Sequence, residues 1–75
     1  MENIRRLVDA LTEWQHAEGL DDAAIGRRLG VSRSMWAAWR LGLRPAGASF
    51  VLRVRGVRGF ARRADAVLRG KKWPE

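Results

Sequence analysis

The chain has 75 residues, no cysteine and a formal net charge of +7 at pH 7. This length allows one small domain, and the absence of cysteine excludes disulfides and thiolate metal sites. The sequence shows no signal peptide and no run of about 20 apolar residues that would form a membrane span. We therefore expect a protein that does not contact a membrane and lies in the cytoplasm of a bacterium or a phage-infected host cell.

Charge divides the chain into two unequal parts. Residues 1–26 carry two basic and six acidic side chains, a net of −4, whereas residues 27–75 carry thirteen basic and two acidic ones, a net of +11. Such a basic region favours a polyanionic partner, either nucleic acid or an anionic membrane surface. Arginine makes up thirteen of the fifteen basic residues. It suits bidentate contacts with phosphate or guanine, but GC-rich codon usage explains its abundance equally well.

Apolar residues at helical spacing predict a first helix that starts near Ile4, includes Trp14 and ends before Gly19. His16 lies near its C-terminus, where a positive charge is favourable. Because no second ligand stands at metal spacing, we expect neither a metal nor a catalytic role for this histidine.

Two short helices should follow. Asp21 is placed to cap a second helix that ends at Leu29, and Gly30 stops it. Ser32 is placed to cap a third helix, which we expect to run to about Leu41.

The remaining helices come after Pro45, which cannot continue the third one. Residues 50–54 have helical apolar spacing, although 51–57 alternates roughly as a strand would. We prefer a helix because no second strand exists to pair with it. A fifth helix is predicted over 57–68, ending at Gly70. The fold expected is all-α, with five helices in one domain over residues 1–70, and a frayed basic tail at 71–75.

Residues 22–41 satisfy the requirements for two helices that pack at a steep angle across a tight turn. Gly26 is small where the second helix must approach the third, and Gly30 tolerates a positive φ. Apolar residues stand where they would fill the junction between the helices: Ile25, Leu29, Val31, Trp36 and Trp39. The pattern predicts a helix-turn-helix, whose second helix enters the major groove by its N-terminal end. Helical spacing also favours core packing for Trp14, Trp36 and Trp39 over stacking on bases, whereas no role is assigned to Trp73.

The stretch from Leu20 to about Val57 resembles the phage-repressor (Cro-like, Xre-like) helix-turn-helix family. The resemblance is carried by LGVSRS at residues 29–34, by Trp39 and by the turn from Gly42 to Pro45. It implies a compact five-helix, repressor-like DNA-binding domain whose third helix reads DNA. It also implies a homodimer on a near-palindromic operator in double-stranded DNA, and a function in transcriptional regulation.

The resemblance implies a set of DNA contacts. Base edges would be read by Arg33, Ser34, Ala37 and Ala38. Phosphates would be contacted by Ser32, Arg40 and Arg44, and we expect the same of Arg28. A bidentate bond from Arg33 to guanine O6 and N7 would supply about 1–3 kcal/mol of discrimination.

Three residues depart from the family pattern. Asp22 stands where glutamine is usual, and its charge would repel a phosphate. Arg40 stands where an acidic residue is common, which we interpret as an internal ion pair exchanged for a phosphate contact. Leu43 replaces a basic residue and would form part of a dimer surface.

Beyond residue 52 the basic side chains have two interpretations, a solvated face or additional phosphate contacts, and we favour the second for residues 53–63. Asp65 is expected to pair with Arg62 or Arg69.

Three classes of function compete with DNA binding. Asp22 and Leu43 favour a protein-interaction module, such as an antitoxin or a phage assembly factor. The basic and apolar residues 50–69 are compatible with membrane-surface association, although the core needs their apolar side chains. An enzyme is disfavoured because the sequence shows no nucleophile–base pair, carboxylate dyad or phosphate-binding glycine loop. We accordingly expect no cofactor, metal or small-molecule ligand.

Overall fold

Capping residues set the helix boundaries in the computed structural model of the chain, which describes residues 2–68, with side chains from 4 to 67. Asp21 accepts a hydrogen bond from the Ala24 amide at 2.8 Å, and Ser32 accepts one from the Met35 amide at 3.0 Å. The helices are α1 (Glu2–Ala17), α2 (Asp22–Leu29), α3 (Arg33–Arg40), α4 (Ala48–Val54) and α5 (Ala61–Leu68). The predicted all-α class is confirmed, and the strand considered over 51–57 is wrong.

The fifth helix begins four residues later than its apolar spacing predicts. Between α4 and α5 the chain makes tight turns, in which the Val57 amide bonds to the Val54 carbonyl and the Phe60 amide to the Val57 carbonyl. Val57 and Phe60 are both fully buried. Their three-residue spacing therefore comes from a turn that buries two side chains and not from a helix. The end expected at Gly70 lies outside the described residues.

The core forms where α1 packs on α5 and α2 packs on α3. Phe50 of α4 lies between two tryptophans of α3, stacked on Trp36 at 6.1 Å between ring centroids and edge-on to Trp39 at 5.4 Å. Trp14 packs against Phe60 at 5.7 Å. The prediction that these three tryptophans belong to the core is confirmed. Trp73 lies outside the described residues.

Most large apolar residues of α4 and α5 face this core, but Leu52 of α4 is 70% exposed. Phe50 and Val54 are fully buried, Val67 is nearly so, and Phe60, in the turn before α5, is also fully buried. Within residues 2–68 no helix combines the length and apolar character needed to cross a membrane.

Candidate functional site

The α2–α3 unit (residues 22–40) depends on a close approach of its two helices. The amide of Val31 bonds to the Gly26 carbonyl at 2.9 Å. A Cβ atom added at Gly26 would lie 2.9 Å from the Val31 carbonyl oxygen and 3.2 Å from the Arg33 amide nitrogen. Because both neighbours are backbone atoms, a side chain would force the helices apart. The predicted need for a small residue at position 26 is confirmed, and Gly30 has the predicted positive φ, 76°.

The two sides of α3 differ sharply. Trp36 and Trp39 are buried on its inner side. The outer face of α3, which we define as residues 33, 34, 37, 38 and 41, points away from the core. Arg33 and Ser34 are exposed, Ala37 and Ala38 are half-buried, and Leu41 is 60% exposed. The four residues predicted to read bases therefore lie together on one accessible helix face.

Arg33 occupies an unfavourable position for a cation. It is the first residue of α3, beside the positive end of the helix dipole, and the first turn holds no acidic residue. Its guanidinium makes no bond to any described residue. A cation at an exposed helix N-terminus costs about 0.3–1 kcal/mol. Local folding therefore gives no reason for an arginine here.

A polar network joins α1, α2 and α3 behind this face. The indole Nε1 of Trp36 donates to Gln15 Oε1 at 2.9 Å, and Gln15 Nε2 donates to Asp22 Oδ1 at 3.0 Å. Arg40 donates to both carboxylate oxygens of Asp22, from Nε at 3.2 Å and from Nη2 at 2.8 Å. Gln15 is only 4% exposed. The network fixes the rotation of α3 against α1 and α2.

This network corrects the interpretation of Asp22 and Arg40. The family resemblance led us to expect that Arg40 exchanges an internal ion pair for a phosphate contact, but Asp22 holds Arg40 in a bidentate pair. The two residues that depart from the pattern of the resembled family, Asp22 on α2 and Arg40 on α3, therefore compensate each other as an acid and a base. Asp22 uses Nε and Nη2 of Arg40, and a guanidinium has five N–H donors. The phosphate contact expected of Arg40 stays a prediction.

Ionisation of Asp22 is favoured in this setting. Burial opposes the charged form, but hydrogen bonds from Arg40 and Gln15 and the positive charge of Arg40 outweigh it and lower the pKa of the carboxyl group. At neutral pH the side chain is a carboxylate, and the pair with Arg40 is intact.

Two further arginines bind the C-terminal carbonyl groups of the unit's helices. Arg5 of α1 donates to the carbonyls of Trp39 (3.3 Å) and Arg40 (3.1 Å) at the end of α3. Arg53 of α4 donates from Nη1 to the carbonyls of Leu29 (3.1 Å) and Gly30 (3.2 Å) at the end of α2. Cations are favourable at helix C-termini. Composition gave no sign of these roles, since both contacts join residues more than 20 positions apart.

Arg53, expected in a phosphate-binding cluster over 53–63, bonds through Nη1 to the turn after α2. The phosphate contacts expected of the cluster stay a prediction. Asp65 pairs with Arg55 at 3.9 Å and not with Arg62. The other expected partner, Arg69, lies outside the described residues.

The remaining predicted phosphate contacts are placed as follows. Ser32 caps α3 with its oxygen and keeps its own hydroxyl proton available to a ligand. Arg28 is exposed, with its guanidinium carbon 5.9 Å from the centroid of the Trp14 ring. Arg44 is exposed and makes no bond to the described residues. It lies at the edge of a groove of about 300 Å³ that also includes Val8, Trp39 and Pro45.

The described part of the chain offers no alternative site built on a metal, because it contains no group of three or more His, Cys, Asp or Glu side chains able to hold one. Comparison of the chain with models of protein families, with curated proteins and with solved structures gave no match.

Proposed function

We propose that this protein binds double-stranded DNA with the outer face of α3 in the major groove, and that it acts as a small transcriptional regulator. The observation that carries the proposal is Arg33. Its charge stands at the end of α3 where it opposes the helix dipole, and nothing among the described residues compensates it. A guanine edge or a phosphate supplies the acceptors that this guanidinium lacks.

Phosphate contacts are assigned to residues beside that face. Ser32 precedes Arg33 at the N-terminus of α3, where free amide groups favour an anion. Arg44 follows α3, and its guanidinium has no partner within residues 4–67. Arg28 remains a third candidate, held partly by Trp14. The net charge of +11 over residues 27–75 supports the same partner.

We also propose that the protein acts as a homodimer, as the family resemblance implies. Leu43, which is 75% exposed, is the candidate for the dimer surface. Two-fold symmetry in the bound DNA sequence would report this assembly directly, because a dimer reads two half-sites about one helical turn apart.

Selection of bound duplexes from a randomised pool, followed by gel shifts at several salt concentrations, tests the proposal. We expect one sequence class to be enriched and affinity to fall with salt, with a log–log slope of about −0.9 for each phosphate neutralised. Arg33→Ala should lose discrimination at one base pair. Arg44→Ala should weaken binding to all sequences alike and lower the salt slope. A pool with no enriched sequence would overturn sequence-specific binding.

A protein-interaction module is the second candidate, favoured by three exposed leucines: Leu41, Leu43 and Leu52. Asp22 no longer supports this function, since its bonds to Arg40 and Gln15 within the fold explain it. Binding to a protein partner that does not change with salt, together with no affinity for DNA, would favour this function. Membrane-surface association loses its main support, because the large apolar side chains of α4 and α5 face the core, Leu52 excepted.

A further inference from the structure

The outer face of α3 changes character along its length. Arg33 and Ser34, at the N-terminal end, carry hydrogen-bonding side chains. Every later position on that face is apolar: Ala37, Ala38 and Leu41. Leu41, the residue directly after α3, is 60% exposed although it is a large apolar residue. Polar recognition is therefore confined to one end of the face, and the rest presents methyl groups alone.

We infer that the outer face of α3 reads a guanine with Arg33 and the C5-methyl groups of neighbouring thymines with Ala37, Ala38 and Leu41. This inference rests on the proposed function and names the class of DNA sequence that the site takes. It also assigns a specificity role to Leu41.

The chemistry of the major groove selects thymine for these positions. Thymine is the base that presents a methyl group there, whereas cytosine and adenine present amino groups and guanine presents two acceptors. An apolar side chain against an amino group or an acceptor would leave that group without water or a partner, which costs free energy. A thymine methyl group packed against Ala37, Ala38 or Leu41 loses water without leaving a polar group unpaired.

Helix geometry limits the spacing between the two kinds of contact. Ala38 lies about 7.5 Å further along the helix axis than Arg33, at about 1.5 Å per residue. Base pairs are stacked about 3.4 Å apart. We therefore expect the first recognised thymine within about three base pairs of the guanine, with Leu41 extending the apolar contact in the same direction.

The test starts from the duplex selected with the whole chain. Each thymine of the enriched sequence is replaced singly by deoxyuridine, which removes only the C5-methyl group. We expect one or two positions beside a guanine to lose affinity about threefold to fivefold, as for loss of one buried methyl group. Replacing that guanine with 7-deazaguanine, which lacks the N7 acceptor, should lower affinity about tenfold.

Protein variants then locate the contact. Ala38→Gly and Leu41→Ala should each bind the thymine and deoxyuridine duplexes more nearly alike than the unaltered chain does. Comparing two duplexes with one protein cancels any effect of the substitution on folding. Arg33→Ala should keep its sensitivity to deoxyuridine and lose its sensitivity to 7-deazaguanine.

Three outcomes are distinguishable. An enriched sequence whose affinity falls with deoxyuridine supports the inference. An enriched sequence indifferent to deoxyuridine at every thymine overturns the inference and leaves DNA binding standing. A pool with no enriched sequence overturns sequence-specific binding and the inference together. The deoxyuridine measurement uses the unaltered protein, so the decision does not depend on any variant folding.

Discussion

Polar side chains on the inner side of α3 have partners in the fold, whereas those on its outer face do not have partners among the described residues. On the inner side, Trp36 and Arg40 each bond to a side chain of another helix. Residues 4–67 contain no fully buried side-chain nitrogen or oxygen without a partner. On the outer face, the polar groups of Arg33 and Ser34 make no bond to any described residue. Contacts within the fold thus account for the polar groups of the inner side, and the proposed contact with DNA would account for those of the outer face.

Arginine shows the consequence most directly. Arg5, Arg40 and Arg53 bind carbonyls or a carboxylate of their own chain, while Arg33 and Arg44 bind none among the described residues. A count of basic residues does not distinguish these five arginines. Their positions divide them into those that fix the α2–α3 unit and those without a partner among the described residues.

The largest loss of stability is expected for the substitution Gly26→Ala. The added methyl group would meet the Val31 carbonyl oxygen at 2.9 Å, which is backbone and cannot rotate away. We expect a loss of about 3 kcal/mol in the free energy of unfolding, as for overpacking of a tight contact. Urea denaturation followed by tryptophan fluorescence measures it. Gly56→Ala is the matched control, because its Cβ would have an ordinary 3.5 Å contact, and equal losses in the two variants would contradict the explanation.

A smaller loss is expected when Asp22 is neutralised. Asp22→Asn keeps the shape of the side chain but removes its charge and one acceptor oxygen from Arg40. We expect unfolding at pH 7 to become easier by about 1–2 kcal/mol. Asp21→Asn serves as the control, since asparagine caps a helix as well as aspartate does.

The same pair predicts a dependence on pH. Because the pKa of Asp22 is lowered in the folded protein, its contribution to stability is fully present above the pKa of the unfolded carboxyl, about 3.9. The contribution is lost as the pH falls through the lower pKa of the folded state. The difference in unfolding free energy between the unaltered chain and Asp22→Asn should therefore shrink on acidification below about pH 4. A difference that stays constant into strong acid would rule out the ionised pair as its source.

Most of the fold could be predicted from contacts between residues close in the sequence, whereas contacts between distant residues could not. The caps at Asp21 and Ser32 and the turn at Gly30 involve neighbours within four residues, so their residue types predict them. The outer face of α3 follows from helical periodicity in the same way. The contacts of Arg40 and Arg53 join positions 18 to 24 residues apart. Periodicity gives the face of a residue but not its partner on another helix, and the pairing of Arg40 with Asp22 could therefore not be predicted.

Arg53→Ala should have a moderate effect. The substitution removes the donor that binds the carbonyls of Leu29 and Gly30, and we expect a loss of about 1 kcal/mol in stability. Arg58→Ala is its control, an exposed arginine without a partner among the described residues, where the change should stay within about 0.5 kcal/mol. Equal thermal shifts in the two variants would remove Arg53 from the α2–α3 unit and return it to the solvated surface.

The smallest effect on folding is expected at Arg33, and its sign is the informative part. Alanine has a higher helix propensity, and the substitution removes a cation from the positive end of α3. Arg33→Ala should therefore raise the free energy of unfolding by about 0.3–1 kcal/mol at low salt. The same variant should lose discrimination at a base pair of the selected DNA. A residue whose removal stabilises the fold and impairs binding is retained for the ligand, whereas a loss of stability at Arg33 would place it with Arg40 and Arg53 as part of the scaffold.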